Sequence, residues 1–316
     1  MLDAITDIYG IKVGHFEEPR AKTGVTVVLC EGGAVGGVDA RGFATGSREL
    51  APLMPLHMVN QVHAIVLAGG SAFGLAATDG VMKYLEERGV GFPIRNLRIP
   101  IVAGAIIFDL LFGDSRIRPD AEMGYQACLA ASSGPVAQGS VGAGCGATVG
   151  KLYGIEQAMK GGLGTASLQL PGGVMVGALA VVNAFGDVQD PDSGRLLAGA
   201  RKGRESRELA NTAERIKGME RPLTFSPENT TLGVIATNAR LNKAEAGMVA
   251  SMGHDGISRS IIPSHTPFDG DIVFALATGQ AEGDMAKIGA AGAETLSKAI
   301  KRAIMEAEGL DILPAY

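Results

Sequence analysis

Five short apolar runs constrain this chain more than any other feature. They are Val25-Thr26-Val27-Val28-Leu29, Ala64-Ile65-Val66-Leu67-Ala68, Val176-Gly177-Ala178-Leu179-Ala180-Val181-Val182, Thr231-Leu232-Gly233-Val234-Ile235-Ala236-Thr237 and Ile272-Val273-Phe274-Ala275-Leu276-Ala277-Thr278. Each is β-rich, too short for a buried helix and bounded by turn residues, so each is expected to be a buried strand. Helical periodicity falls elsewhere. Residues 79–88 place Val81, Met82 and Leu85 on one face and stop at Gly89. Residues 243–259 and 294–307 repeat the pattern, the second with Leu296, Ile300 and Ile304 on its apolar face. Strands in two groups with helices between them predict a layered α/β sandwich. Residues 190–227, poor in apolar side chains and rich in Arg, Glu and Ser, are expected to form an exposed helix and a mobile connector between the groups.

A chain of 316 residues with 46% hydrophobic content can bury a large core, as one large domain or two smaller ones. The 46 glycines are separated by apolar strands, which fits tight turns and close backbone approaches. A net charge of −5 without a basic patch argues against nucleic acid as a partner. No apolar stretch approaches the roughly 18 residues of a membrane span, and no charged-then-apolar leader is evident. Cys30, Cys128 and Cys145 are an odd set without metal spacing, which suits a reducing cytoplasm. His15, His57, His63, His254 and His265 show no paired ligand spacing, so neither a metal nor a cofactor is expected. The glycine-rich residues 142–150 lack the Gly-Lys-Ser/Thr ending of a phosphate loop, and Gly69-Gly70-Ser71 lacks the spacing of a nucleophile elbow. Both are expected to line a pocket with backbone, and Cys145 to serve as a small packing residue.

The dipeptide Asn229-Thr230 stands at the mouth of the fourth apolar run, after Ser226-Pro227-Glu228. A hydroxyl there can attack the preceding carbonyl, turning the Asn229 amide into an ester that water then opens. The threonine released would carry nucleophile and base together, because an α-amine has an ordinary pKa of about 7.7–8.0. The plainer reading is a turn residue followed by a β-branched strand residue. The segment Ser264-His265-Thr266-Pro267-Phe268-Asp269-Gly270-Asp271 leads into the fifth run and adds weight to the first reading. If extended, Asp269 and Asp271 point to the same side, and carboxylates that close need a raised pKa or hydrogen-bond donors. A turn with an Asp cap is the alternative, in which His265 orients the turn.

These residues, Asn229-Thr230-Thr231 with Val234-Ile235-Ala236-Thr237-Asn238 and His265-Thr266 through Asp269-Gly270-Asp271, resemble the self-processing L-aminopeptidase/D-esterase family. That family includes β-peptidyl aminopeptidases and nylon-oligomer hydrolases. The resemblance extends to Ile5-Thr6-Asp7-Ile8, Val13-Gly14-His15, Ala68-Gly69-Gly70-Ser71-Ala72-Phe73-Gly74-Leu75, Gly142-Ala143-Gly144-Cys145-Gly146-Ala147-Thr148 with Lys151, and Lys160-Gly161-Gly162-Leu163-Gly164-Thr165. It implies a four-layer αββα sandwich, two central sheets covered by helices, similar to N-terminal-nucleophile hydrolases. It further implies one catalytic domain over residues 1–316, cut into fragments 1–229 and 230–316, and a homo-oligomer such as a tetramer.

On this reading Thr230 is the nucleophile, first for self-cleavage and then for the substrate. Asn183, closing the third run, matches the family's oxyanion-donor position, while locally it reads as an Asn in a turn before Phe185-Gly186-Asp187. Lys151 matches an active-site lysine of nylon-oligomer hydrolases. Its ammonium can pair with Asp269 or Asp271 or lower the proton affinity around the Thr230 hydroxyl, unless it is a solvated surface lysine. Asp269 and Asp271 would orient the Thr230 amine, relay protons and offer acceptors for a substrate ammonium. Where nylon-oligomer hydrolases carry an active-site tyrosine this chain has Phe108, so that hydroxyl must come from water or Tyr125. The expected activity is that of an aminopeptidase or amidohydrolase on peptides or small amides. The rivals are an acyltransferase of the ornithine acetyltransferase type and a non-catalytic binding protein on the same scaffold.

Overall fold

The 18-residue strand Thr23–Ala40 belongs to two sheet halves at once. Its residues 25–29 pair antiparallel with Gln61–Ala68 on one side and with Lys12–Glu18 on the other, while residues 35–40 pair antiparallel with Ile272–Ala281. The register shifts between Leu29 and Ala34, where Gly33 takes a φ of +81°. Such an irregularity bends a strand and raises its twist, and here it folds one continuous sheet into two stacked halves. The first half continues through Val102–Ile106 and Ser47–Arg48, and the second through Thr230–Ala239, Met175–Asn183 and Gly162–Gln169. The computed structural model describes residues 1–220, 228–310 and 313–316.

Three apolar layers follow from the period-two alternation of these strands. Leu232, Val234, Ala236, Phe274 and Leu276 from the second half pack with Ile65, Leu67, Ala103 and Ala105 from the first, forming the layer between them. The opposite face of the second half, with Ile235, Val273 and Ala275, is covered by two long helices. The opposite face of the first half, with Val25, Val27 and Val66, is covered by two short ones. The architecture is therefore the expected αββα sandwich, with both sheets joined through one bent strand.

Helix α1 (Ala77–Glu86) and α2 (Ala121–Leu129) cover the first half. Residues 79–88 anticipate α1 within two residues, but the apolar pattern gives no sign of α2, because its buried residues are Gly124, Ala127 and Cys128. Small residues serve close contact there: a Cβ on Gly124 would lie 2.0 Å from the Ala77 carbonyl oxygen. Helix α3 (Thr212–Lys217) is short and capped by Asn211. Helices α4 (Lys243–Ser260) and α5 (Met285–Met305) cover the second half. α5 starts ahead of the predicted 294 because Asp284 caps it, accepting from Lys287 N, and its first turns are rich in Gly and Ala.

The expectation of an exposed helix and a mobile connector over 190–227 holds for the helix, α3, which buries Thr212 alone, and needs correction for the residues before it. Leu196–Ala198 is a strand paired with Asp187–Gln189, and Arg201 is buried with its guanidinium on the carbonyls of Ala158 and Glu156. Asp187 ties this segment down by accepting from Ala200 N and from Thr212 N and Oγ. The end of that segment, residues 221–227, lies outside the described residues. No helix among the described residues is long and apolar enough to cross a membrane.

Candidate active site

Strand register brings Thr230 to one end of the middle layer. Asn183 is its antiparallel partner on one side. On the other, parallel pairing runs at a constant offset of 40 residues, Asn229 with Asp269 and Leu232 with Ile272 (269 − 229 = 272 − 232 = 40), so Thr230 lies beside Gly270. The alternation that sends Leu232 and Val234 into the middle layer sends Thr230 there too, and Asn183 follows Leu179 and Val181 to the same side. Thr230 is 4% exposed, and its Oγ donates to the Asn229 carbonyl oxygen at 2.5 Å. The same oxygen accepts from Gly270 N at 2.8 Å. A Cβ on Gly270 would stand 2.8 Å from Thr230 Oγ and 2.5 Å from the Ala44 carbonyl oxygen, so only glycine fits under the hydroxyl.

Asn183 has its amide orientation fixed by its neighbours. Oδ1 accepts from Thr148 N and Lys151 Nζ, both at 3.0 Å, which leaves Nδ2 to donate to the Glu228 carbonyl at 2.9 Å and the Phe108 carbonyl at 3.2 Å. Lys151 is buried, not a solvated surface lysine. Its Nζ donates to Asn183 O at 3.0 Å and Glu228 O at 3.4 Å besides Asn183 Oδ1, so it hydrogen-bonds carbonyls and not Asp269 or Asp271. Burial pulls its pKa down to about 7, with the Asp269 charge opposing the shift. Asn183 and Lys151 thus spend their outward-facing donors on the carbonyl of Glu228, one residue ahead of the bond at issue.

Asp269 and Asp271 do share a side, but by alternation it is the helix-covered face and not the face of the Thr230 hydroxyl. Asp269 accepts from Phe185 N and from Thr266 N and Oγ. Burial raises its pKa to about 6, and the Asp271 charge adds to the rise. Asp271 accepts from Thr231 N at 2.7 Å through Oδ1 and from His265 Nδ1 at 2.7 Å through Oδ2. Among the described residues neither carboxylate hydrogen-bonds Thr230. Asp271 holds the backbone amide next to Thr230, and Asp269 holds Phe185 and Thr266 beside it, so in the uncut chain both carboxylates bind backbone and the Thr266 and His265 side chains. His265 does orient the turn, as expected, and does so by binding Asp271.

Phe108 lines a small cavity with Leu111, Phe112, Ile155, Lys151 and Glu228. Tyr125 cannot replace the missing tyrosine, because it sits on α2 with its hydroxyl on Glu87. The glycine-rich loop is packed into the protein, its Gly142 and Ala143 amides bound to Glu17 and Thr26. Lys160 donates to the Gly144 and Gly161 carbonyls, and burial brings its pKa to about 7. Cys145 is half-buried, and burial raises its thiol pKa. No group of His, Cys, Asp and Glu among the described residues could hold a metal. Two features escaped the sequence reading: the Gly270 amide on the Asn229 carbonyl and the masking of Asn183 by Glu228. The Asp-Gly-Asp spacing hinted at a tight site, but only the strand register shows which backbone group reaches the carbonyl.

Comparison with known proteins spans nearly the whole molecule. The sequence model of Peptidase family S58 matches residues 3–313. An uncharacterized aminopeptidase of Mycobacterium tuberculosis (strain ATCC 25618 / H37Rv) is 44% identical, across 100% of this chain and 97% of that protein. A 6-aminohexanoate-oligomer endohydrolase of Agromyces sp. (strain KY5R) is 34% identical, across 86% of this chain and 74% of that one. Among solved structures, the L-aminopeptidase D-Ala-esterase/amidase of Ochrobactrum anthropi, described as a variant of the Ntn hydrolase fold, superposes with a TM-score of 0.73 at 18% identity. That match covers 100% of this chain and 91% of the other. A Burkholderia sp. β-aminopeptidase gives a TM-score of 0.71 at 23% identity, covering 98% and 88%.

Proposed function

This chain belongs to Peptidase family S58, and from that premise we propose that it is a self-cleaving threonine hydrolase, an aminopeptidase acting on peptides or small amides. The observation that carries the reading is the convergence of the Thr230 hydroxyl and the Gly270 N–H on one oxygen, the carbonyl of Asn229. In self-cleavage Thr230 Oγ bonds to the Asn229 carbonyl carbon and the carbonyl oxygen takes up negative charge. Gly270 N–H is already in place to stabilise it. The Asn229–Thr230 C–N bond then breaks, the hydroxyl proton passes to the departing Thr230 nitrogen, and an ester remains on Oγ. Water hydrolyses that ester, giving a carboxylate on Asn229 and a free amine and hydroxyl on Thr230.

The cut changes the electrostatics of the site. Once Glu228 withdraws, Asn183 Nδ2 and Lys151 Nζ lose the carbonyl they share in the uncut chain. Asn183 Nδ2 keeps the Phe108 carbonyl and Lys151 Nζ keeps Asn183 O and Oδ1. Each is still left with one N–H unpaired in a buried site, which is costly, so they are the groups that receive the carbonyl oxygen of an incoming substrate. The Thr230 α-amine accepts the hydroxyl proton as Oγ attacks, and the leaving amine of the substrate takes it back. Water then releases the acyl group. The names of the relatives support hydrolysis of amides, and a matched assay with an added amine separates hydrolysis from acyl transfer.

The test is one intact-mass spectrum. It should show fragments of 229 and 87 residues (316 − 229 = 87), the smaller beginning at Thr230. They should co-elute in gel filtration, since Met175–Asn183 and Thr230–Ala239 pair along their length. Thr230→Ala should stay folded, uncut and inactive, and Thr230→Ser should still cut. An active Thr230→Ala enzyme would remove Thr230 from the mechanism.

A further inference from the structure

Asp271 is 1% exposed and, among the described residues, has no lysine or arginine partner. A buried carboxylate is tolerated only if donors compensate its lost hydration. His265 supplies two, its ring Nδ1 at 2.7 Å and its backbone N at 3.3 Å, both to Oδ2. In making them the residue adopts a φ of +52°, the left-handed region that non-glycine residues seldom enter. The ring is confined as well. It stands edge-on against His254 of α4 at 4.8 Å between centroids, and His254 donates its Nε2 proton to the Asp39 carbonyl at 3.0 Å. Among the described residues, the other charged groups around this pair are Asp269 on the same loop, Asp39 near the end of the long strand and Arg41 just past it. Arg41 is directed to Asp39 and Ser251. His265 is therefore the donor that fixes which way Asp271 faces.

We infer that His265 is a positioning residue of the proposed reaction: it locks Asp271, whose other oxygen holds the Thr231 N–H, and so sets the peptide unit that aims the Thr230 hydroxyl and, after the cut, its amine. The inference rests on the Thr230 reading above. The chain of contact is short, from His265 Nδ1 to Asp271 Oδ2 and from Oδ1 to Thr231 N at 2.7 Å. Without the imidazole, the carboxylate can rotate, and the backbone next to the nucleophile loses the acceptor that defines its angle. A misplacement of about 1 Å costs on the order of a hundredfold in rate, so even partial loosening is measurable.

Three substitutions separate the ring from the backbone. His265→Ala removes the side-chain donor, His265→Gly also relieves the left-handed conformation, and His265→Asn keeps an N–H near the Nδ1 position in a residue that tolerates positive φ. Self-cleavage is followed by intact mass, and kcat and KM are measured on the cut fraction with an amino-acid p-nitroanilide, alongside a thermal melt. Ala and Gly should slow self-cleavage and lower kcat at least about tenfold with KM within about twofold, and Asn should recover most of both. If Ala does not fold, Gly and Asn carry the comparison. Wild-type cleavage and kcat in folded His265→Gly would overturn the inference, as would variants that differ only in melting temperature. If the wild-type protein itself neither cuts nor hydrolyses, the Thr230 reading fails and not merely the role of His265.

Discussion

Asn183→Ala should separate the two reactions proposed for this site. In the uncut chain the carbonyl under attack rests on Gly270 N–H at 2.8 Å, whereas Asn183 Nδ2 serves the Glu228 carbonyl at 2.9 Å, one residue upstream. Self-cleavage therefore does not need the Asn183 side chain as an oxyanion donor, and its rate should stay within about tenfold of wild type. Hydrolysis of a substrate should suffer far more, because loss of one oxyanion donor typically costs about 10²–10³ in kcat, or roughly 2.7–4 kcal/mol. The substitution also has a structural cost. It strips Thr148 N of its acceptor and leaves Lys151 Nζ with the Asn183 and Glu228 carbonyls alone. A buried donor left unpaired costs about 1–3 kcal/mol, a loss that a total stability of roughly 5–15 kcal/mol can absorb. The assay follows fragment appearance by mass and p-nitroanilide turnover per cut molecule. A folded Asn183→Ala that stays uncut would show that this amide serves the self-cleavage oxyanion after all. Turnover near wild type would show that the substrate oxyanion rests on Lys151 Nζ or Gly270 N–H and does not need Asn183.

Two further outcomes follow from the same geometry. Gly270→Ala should accumulate as uncut precursor, since its methyl group would press on Thr230 Oγ at 2.8 Å and on the Ala44 carbonyl at 2.5 Å; cleavage at the wild-type rate would show that the hydroxyl attacks from elsewhere. Lys151 should leave a mark on stability against pH: burial brings its folded pKa from 10.5 to about 7, so between those values the unfolded chain binds more protons and stability rises with pH. Denaturant unfolding of uncut Thr230→Ala at pH 7 and 9 should show that rise. Adding Lys151→Met should reduce its slope by up to about 1.4 kcal/mol per pH unit, leaving the share due to Lys160; an unchanged slope would mean that Lys151 stays charged when folded.

How much of this was legible in the sequence depends on the range of the interaction. The five apolar runs became five central strands because burial on both faces writes itself into composition, and α1 and α4 were visible for the same reason of periodicity. α2 was not, because its buried residues are Gly124, Ala127 and Cys128, too small to give an amphipathic signal. The residues of the candidate site are legible in the sequence, but their arrangement in the uncut chain is not. Period-two alternation correctly placed Asp269 and Asp271 on one side, but which side depends on register against a strand 40 positions away. In a parallel pair that register puts Thr230 beside Gly270 and sends both carboxylates to the helix-covered face. Had the offset been one residue longer or shorter, an aspartate would lie beside the hydroxyl and the amide of Gly270 would no longer reach the Asn229 carbonyl. On the proposed reading Asp271 acts on Thr230 through the Thr231 N–H it holds, and Asp269 acts through Phe185 N and Thr266. That is why the glycine between them, and the histidine that fixes one of them, matter as much to the proposed chemistry as the charges themselves.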